Sequence, residues 1–389
     1  MNHTNSTRIE SLDLLKGLIM ILMALDHVRD FFHRDAFLFD PTEIEKSNLP
    51  LFFTRFATNI CAPAFCLLAG TAAFLVGMRK PKLELARFLL TRGAWLVFIE
   101  LTVVNFGWYF DTSFRMLSFG VIGALGTSMI CLSVLIFLPR KAIFGLSLAL
   151  IFGHNLLDGV HAKHNIAWAL LHEAQTIPVF GVKLDIYYPV LPWLGTMLLG
   201  FFIGTWYKPD VEAHARRRFL RRIGIASFVL FVGLRTANYY GDLAAWQTYA
   251  GLDKTLMSYL NVQKYPPSLD FLLLNLSLVF LFLANSETWR GRAVSVFSTY
   301  GRIPFFYYIL HLYLIHGLAV VVAGVSGSGW ELFLLPAWIT EVPALKGYGF
   351  GLPVVYAVWL AVVVALYPLC KWFDAYKKQH KEKWYLSYL

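Results

Sequence analysis

Near the end of the first long apolar run, Met23-Ala24-Leu25-Asp26-His27-Val28-Arg29-Asp30 places four ionisable side chains where a membrane helix ordinarily carries none. A charge near the bilayer centre costs roughly 2.5–3.5 kcal/mol on insertion scales, so such groups line polar cavities and pair with one another. On a helix Asp26 shares a face with Arg29 and Asp30, and His27 lies one turn from Asp30. A carboxylate and an imidazole are the materials of acid–base chemistry near neutral pH. Adjacent helical positions point about 100° apart, so Asp26 and His27 each need a partner elsewhere. The partners expected are His311 for Asp26, across the bundle, and Asp30 for His27, along its own helix. A structural ion pair of Asp26 or Asp30 with Arg29 is the alternative.

A second constellation is Tyr307-Tyr308-Ile309-Leu310-His311-Leu312-Tyr313-Leu314-Ile315-His316. His311 falls near the middle of that apolar run, with Tyr307 and Tyr308 one turn earlier; His316 lies about 140° around the helix and faces something else. A third is Arg55 and Asn59 before Cys61-Ala62-Pro63. A proline inside a membrane helix frees the carbonyl one turn earlier, here that of Asn59. Arg55 and Asn59 then share a face at the depth of Asp26 and His27. His154, Asp158, His161, His164, His172 and Glu173 cluster after the fifth apolar run, the first three at i, i+4, i+7 spacing. The spacings match no zinc pattern, and the expectation is a solvated interfacial loop with no metal.

These groups need a bundle to hold them. The chain is 58% hydrophobic and 15% charged, with mean hydropathy +0.57, values that exclude a soluble or a disordered chain. Runs long enough to span a bilayer, about 20 residues each, fall at 12–32, 52–78, 88–108, 117–138, 142–157, 189–207, 219–236, 269–285, 303–324 and 352–372. The reading is an all-α, polytopic transmembrane bundle of about ten helices, with residues 331–340 a candidate partial eleventh. Alternate connections are rich in Lys and Arg (Arg79, Lys80, Lys82 and Arg87; Arg216 to Arg222; Arg290 and Arg292; Lys371 to Lys383), which places both termini in the cytoplasm. The net charge of +10 then follows from topology and anionic lipid, without nucleic acid.

Cys61, Cys66, Cys131 and Cys370 all fall in apolar segments and read as packing residues. The first apolar run lacks a cleavage site and reads as a retained helix. No linker or repeat divides the chain, so residues 1–389 form one domain. The outer connections 154–188, 237–268 and 325–351 are long, aromatic and punctuated by Pro or Gly, as in lids or in loops packed on one another. No P-loop, dinucleotide fingerprint or Gly-x-Ser-x-Gly elbow occurs.

The opening Arg8-Ile9-Glu10-Ser11-Leu12-Asp13-Leu14-Leu15-Lys16-Gly17, with the following Met-Ala-Leu-Asp-His-Val-Arg-Asp-Phe-Phe run to Phe32, resembles the heparan-alpha-glucosaminide N-acetyltransferase catalytic-domain family as found in bacteria. The likeness continues in Leu51 to Arg55, Cys61-Ala62-Pro63, Ala69-Gly70-Thr71, Tyr188 to Gly195, Lys264 to Leu269 and Gly301-Arg302-Ile303-Pro304 through His311. The resemblance implies a membrane acyltransferase that moves an acetyl group from cytoplasmic acetyl-CoA to an amino sugar or related glycan across the membrane. Asp26 matches the polar position that is asparagine in the family's lysosomal member, and His311 follows Gly301 as the family's membrane histidine follows its glycine. Lys16 and Asn59 depart from the arginine and histidine of the family's bacterial pattern, and no loop histidine can be placed before Leu51.

On this reading His311, His27 and Asp26 carry the catalysis, by general base or acetyl-histidine. Arg29, Asp30, Arg55, Asn59, Tyr307 and Tyr308 hold the substrate or the oxyanion. Lys80, Lys82, Arg87, Arg92, Arg290 and Arg302 at inner helix ends dock the polyanionic CoA. The protein belongs in a bacterial inner membrane, in contact with lipid, as a monomer or homodimer. Two rivals stand beside this reading: a proton-coupled transporter or flippase of a glycan or lipid-linked intermediate, and a scaffold whose charges only hold helices together.

Overall fold

A computed structural model describes residues 9–388; Arg8 of the opening motif lies outside them. Helix α1 (Glu10–Phe32) opens on acidic Glu10 and Asp13, which suit the positive helix start. It ends where Phe32 and Arg34 pair with the backbone of Phe350 (2.8 and 3.1 Å). The second apolar run forms two helices, α2 (Leu49–Phe56) and α3 (Cys61–Gly77). Asn48 caps α2 by accepting from the Leu51 amide at 3.0 Å. Instead of a kink at Pro63 the helix is interrupted at Ala57–Ile60, where the Thr58 hydroxyl donates to the Arg55 carbonyl at 2.7 Å.

Helix α4 (Lys82–Ile99) runs through a π-helical turn at Glu100–Val104 into α5 (Asn105–Tyr109), which stops at Phe110 in a left-handed conformation. Strand β1 (Met116–Phe119) precedes α6 (Val121–Leu135), α7 (Arg140–Gly153) and α8 (Ile166–Leu171). Strands β2 (Gln175–Val179) and β3 (Val182–Ile186) form a hairpin whose turn residues Phe180 and Gly181 both have positive φ. The sheet order is β1-β3-β2, with β1 parallel to β3 in the register Met116↔Lys183.

There follow α9 (Val190–Ile203), α10 (Ala213–Ala237), α11 (Leu252–Leu260), α12 (Leu269–Ser286), α13 (Arg292–Arg302), α14 (Pro304–Val325) and α15 (Leu352–Gln379). Each of the ten expected spans contains helix, the second as two helices and the fourth only after strand β1. Among the described residues six helical segments are long and apolar enough to cross a membrane: Leu49–Gly77, Lys82–Tyr109, Val190–Tyr207, Leu269–Ser286, Pro304–Val325 and Leu352–Gln379. The others fall short for visible reasons. α1 is broken in hydropathy by its charges, α10 begins with five arginines, and α6 and α7 are short, at 15 and 14 residues. The region expected as a partial eleventh helix contains only short 3-10 turns at Trp330–Phe333 and Ile339–Glu341. Apolar side chains stay exposed on the outer helices, Val364 of α15 by 69%, a surface suited to lipid.

Two glycine crossings set the centre of the bundle. A Cβ on Gly17 would lie 1.8 Å from the Phe297 carbonyl oxygen, and one on Gly301 would lie 1.8 Å from that of Asp13. α1 and α13 therefore touch backbone to backbone. Gly70 of α3 and Gly200 of α9 make the same kind of crossing, 1.9 and 2.0 Å from the facing carbonyls. The Trp359 indole of α15 donates to the Ile21 carbonyl at 2.8 Å and fixes the rotation of α1 from the other side.

Candidate active site

In the last third of α1 the ionisable residues enter a cavity of about 460 Å³ that opens at the C-terminal end of this helix. Arg29 lies between two carboxylates, its Nη1 2.6 Å from Asp26 Oδ1 and its Nη2 2.7 Å from Asp30 Oδ1. Arg55, from the last turn of α2, reaches the other oxygen of Asp26 at 3.4 Å and the Tyr265 hydroxyl at 3.3 Å. It also donates weakly to Asn59 at 3.5 Å. Two carboxylates and two guanidinium groups thus balance inside the bundle, as burial requires. The α2–α3 interruption is what turns Arg55 inward.

Beside this network His27 Nδ1 lies 2.9 Å from His311 Nε2, and His311 Nδ1 lies 2.9 Å from the Tyr307 carbonyl. A carbonyl only accepts, so His311 carries its proton on Nδ1 and presents a lone pair on Nε2. His27 then donates from Nδ1, which leaves the lone pair of its Nε2 as the base of the pair. His27 lines the cavity, whereas His311 is fully buried behind it. Trp108 packs edge-on against His27 at 4.6 Å and Tyr308 at 6.2 Å.

The expected pairs are thereby corrected. His311 meets His27 rather than Asp26, and Asp30 meets Arg29 rather than His27. The cause is angular: the contact of α1 with α13 and α14 turns His27, not Asp26, toward α14. His316 faces elsewhere as expected, bonded at 2.8 Å to the carbonyls of Gly107 and Phe333.

The sheet supplies wall residues that the sequence reading passed over. β3 and the residues after it bring Asp185, Tyr187 and Tyr188 to the cavity. Burial pushes the Asp185 carboxyl above its ordinary range. Asn105 holds β1, donating to the Met116 carbonyl at 2.9 Å and accepting from the Ser118 amide at 2.8 Å. Buried Glu100 accepts from the Gly120 amide at 2.7 Å. The mouth is roofed by residues 38–48, with Asp40 and Glu43 on the lining. Burial opposes the Asp40 charge, but Arg55 and the Thr42 hydroxyl and amide overcome it and hold this carboxyl below its ordinary range. Lys254 from α11 donates to the Ser47 carbonyl at 2.6 Å and Asn261 to the Thr42 carbonyl at 3.0 Å, tying down the roof.

A second cavity of about 260 Å³ enters from the opposite end of α1, between α1, α3, α4, α6 and α14. Its walls are almost wholly apolar, with Lys16 and Arg92 the basic residues on the lining. The two cavities share Met23, Phe65, Val121 and Tyr308. Of the other basic residues expected to dock a polyanion, Lys82 and Arg87 are exposed, and exposed Lys80 pairs with Glu84 at 3.5 Å. Arg290 faces Glu10 at 3.9 Å. Arg302 is held by Asp374 at 2.7 Å and Thr299 at 2.8 Å, a helix-to-helix tie. Tyr307 is buried behind His311 and lines neither cavity, and Asn59 does not reach the lining.

The outer histidine cluster also differs from expectation. His154 and His172 are 2% exposed, and they meet at Asp158 inside the protein instead of in solvent. His161 is on the surface with Glu173, 2.9 Å away, because the chain turns after Asp158 and breaks the helical spacing.

A helical bundle with six candidate spans among the described residues, and with a cavity towards each end of α1, defines an integral membrane protein. The family model "Heparan-alpha-glucosaminide N-acetyltransferase, catalytic" matches residues 8–241, more than half of the chain. The protein belongs to that family of transmembrane acetyltransferases. The matched segment contains Asp26, His27, Arg29, Asp30, Arg55 and Arg92, and ends before His311. No curated protein matches the chain.

Proposed function

We propose that the protein transfers an acetyl group from acetyl-CoA, entering by the apolar cavity at the N-terminal end of α1, to an amine on a sugar or glycan held in the polar cavity. The observation that carries this reading is the meeting of the two cavities at Met23, Phe65, Val121 and Tyr308, beside the His27–His311 pair. The narrower cavity suits a pantetheine arm by its apolar lining, and Lys16 and Arg92 suit the phosphates by charge. With both termini and the basic loops in the cytoplasm, the donor arrives from inside and the acceptor from outside. An inner bacterial membrane is the setting proposed.

The polar cavity favours an ammonium group over a hydroxyl. Its lining holds five carboxylates (Asp26, Asp30, Asp40, Glu43 and Asp185) against three cations (Arg29, Arg55 and Lys264). Its aromatic walls, Trp108, Tyr187 and Trp338 among them, offer flat faces to a sugar ring. In this mechanism the carboxylates beyond the Asp26, Asp30, Arg29 and Arg55 balance, Asp40 at the mouth among them, draw the ammonium in. His27 Nε2 removes the proton that keeps its nitrogen from attacking. A C–N bond forms to the thioester carbon and the C–S bond breaks. The ammonium has two protons to lose: the first leaves by way of His27 to solvent before attack, and the second passes from the newly bonded nitrogen through His27 to the departing thiolate, so the pair ends as it began and one proton is released. His311 positions His27 and shares its positive charge while the proton is held. Arg55 and the Tyr308 ring flank the place where the oxyanion develops.

The test is transfer of label from radiolabelled acetyl-CoA to a panel of amino sugars by detergent-purified protein. Labelled product from wild type, and none from a folded His27→Ala variant that still binds CoA, is the expected result. Absence of both transfer and calorimetric CoA binding in wild type would overturn the reading and favour a transporter.

A further inference from the structure

The trio His154, Asp158 and His172, both imidazoles buried and the carboxylate partly so, lies apart from both cavities; none of its members lines either. One potential ligand atom from each lies within 4.8 Å of the others. His154 follows the last residue of α7, Asp158 follows the 3-10 turn, and His172 follows α8, so three segments converge on one point. Both ring nitrogens of His154 and Nδ1 of His172 are buried without a hydrogen-bond partner. Burying an imidazole with no partner for either nitrogen is costly, and native structures seldom do it.

The remaining polar atoms are already oriented. His172 Nε2 lies 3.0 Å from Asp158 Oδ1, and the Asn155 amide donates to Asp158 Oδ2 at 2.8 Å. The carbonyl oxygen of Asn155 in turn accepts from the Leu269 amide at 2.9 Å, at the start of α12. Such a surrounding shell, which fixes a carboxylate and an imidazole before anything binds, is what metal sites require. Trp168 packs on His172 with ring centroids 5.6 Å apart and shields that side from water.

We infer that His154, Asp158 and His172 bind a divalent transition-metal cation, zinc by the donor set, which fastens the outer end of α7 to α8. Two neutral imidazoles and a carboxylate are a zinc ligand set that leaves a fourth position for water. Tetrahedral zinc with bonds of about 2.0–2.1 Å sets ligand atoms about 3.3 Å apart, so the trio draws inward on binding. The cation gives His154, which has no partner on either ring nitrogen, a bond at one of them. Its role is structural: β2 begins three residues after His172, and its hairpin carries Asp185 and the two tyrosines to the cavity wall. The inference does not depend on the acetyltransferase chemistry.

The experiment uses the untagged full chain in detergent, stripped with chelator and dialysed, then titrated with Zn2+ by calorimetry and with Co2+ by visible spectroscopy. The expected result is one equivalent bound per chain, with Co2+ bands of a low-coordinate nitrogen–oxygen site and a higher thermal midpoint in Zn2+. His154→Ala and Asp158→Asn should each weaken binding at least about tenfold, and His161→Ala, a surface histidine of the same loop, should leave it unchanged. Absence of stoichiometric binding by folded wild type overturns the proposal, as does binding that survives both ligand substitutions or is lost with His161→Ala. If His154→Ala does not fold, His172→Gln and the wild-type Co2+ spectrum decide: octahedral, water-like bands reject the site.

Discussion

On the proposed mechanism, the carbonyl of Tyr307 decides which histidine is the base. By accepting from His311 Nδ1 at 2.9 Å it settles the tautomers of both rings and leaves His27 Nε2 as the lone pair beside the cavity. His27→Ala should lower kcat about 10²–10⁴-fold, the usual worth of a general base, with CoA affinity retained by calorimetry. His311→Ala should cost less and should move the pH profile, because His27 loses the partner that fixes its tautomer. Asp26→Asn removes one carboxylate from between Arg29 and Arg55, leaving uncompensated buried positive charge. That variant should raise KM for an amine acceptor and lower the thermal midpoint together. The chemistry-bearing residue types were legible in the sequence because ionisable groups inside apolar runs stand out. Their pairing was not, because it depends on how far α1 is turned relative to α14.

That turn is an element-scale property, set by the contact of Gly17 with Gly301. Both glycines belong to the motifs that suggested the family, yet neither lines a cavity. They let α1 and α13 approach until backbones meet, with a Cβ at either position falling 1.8 Å from a carbonyl oxygen. Gly301→Ala forces the helices apart and should cost about 1–3 kcal/mol, the range for overpacking, or more where backbone must move. The check is the thermal midpoint together with Gly17→Ala, which should not add fully because both act on one contact. The long helices could be read from hydropathy, but α13 could not: its 11 residues mix arginines with apolar groups and look like a loop. The sheet was missed although a local sign was present. Alternation in Val182-Lys183-Leu184-Asp185-Ile186 and the two-residue Phe180-Gly181 link mark a hairpin, while Pro178 and the short strands obscured it. The histidine cluster was misread because His172 arrives from another element, 14 residues beyond Asp158, a spacing that no linear pattern contains.

For the molecule as a whole, the two cavities differ in character as two reactants would. The narrow one is apolar with Lys16 and Arg92 on its lining; the wide one is polar with a carboxylate excess. Lys16→Ala and Arg92→Ala should raise KM for acetyl-CoA severalfold and leave kcat nearly unchanged. The wild-type KM should itself rise with salt, as expected for phosphate docking. Lys80→Ala, whose partner is Glu84 on the surface, should change neither.

Among the described residues only Met23, Phe65, Val121 and Tyr308 stand on both linings. Elsewhere a bilayer insulates by about 30 Å of hydrocarbon; at this point the same duty falls to one layer of side chains. On the proposed mechanism the protein is also an electrical seal, and its tightness must survive each passage of an acetyl group. Phe65→Ala should make proteoliposomes leak protons down an imposed gradient, visible with an entrapped pH dye, while wild type stays tight. Selection for a good catalyst and selection for a good insulator meet on the same four residues, and how far the partition can be enlarged for bulkier acyl groups is limited by what the membrane potential tolerates.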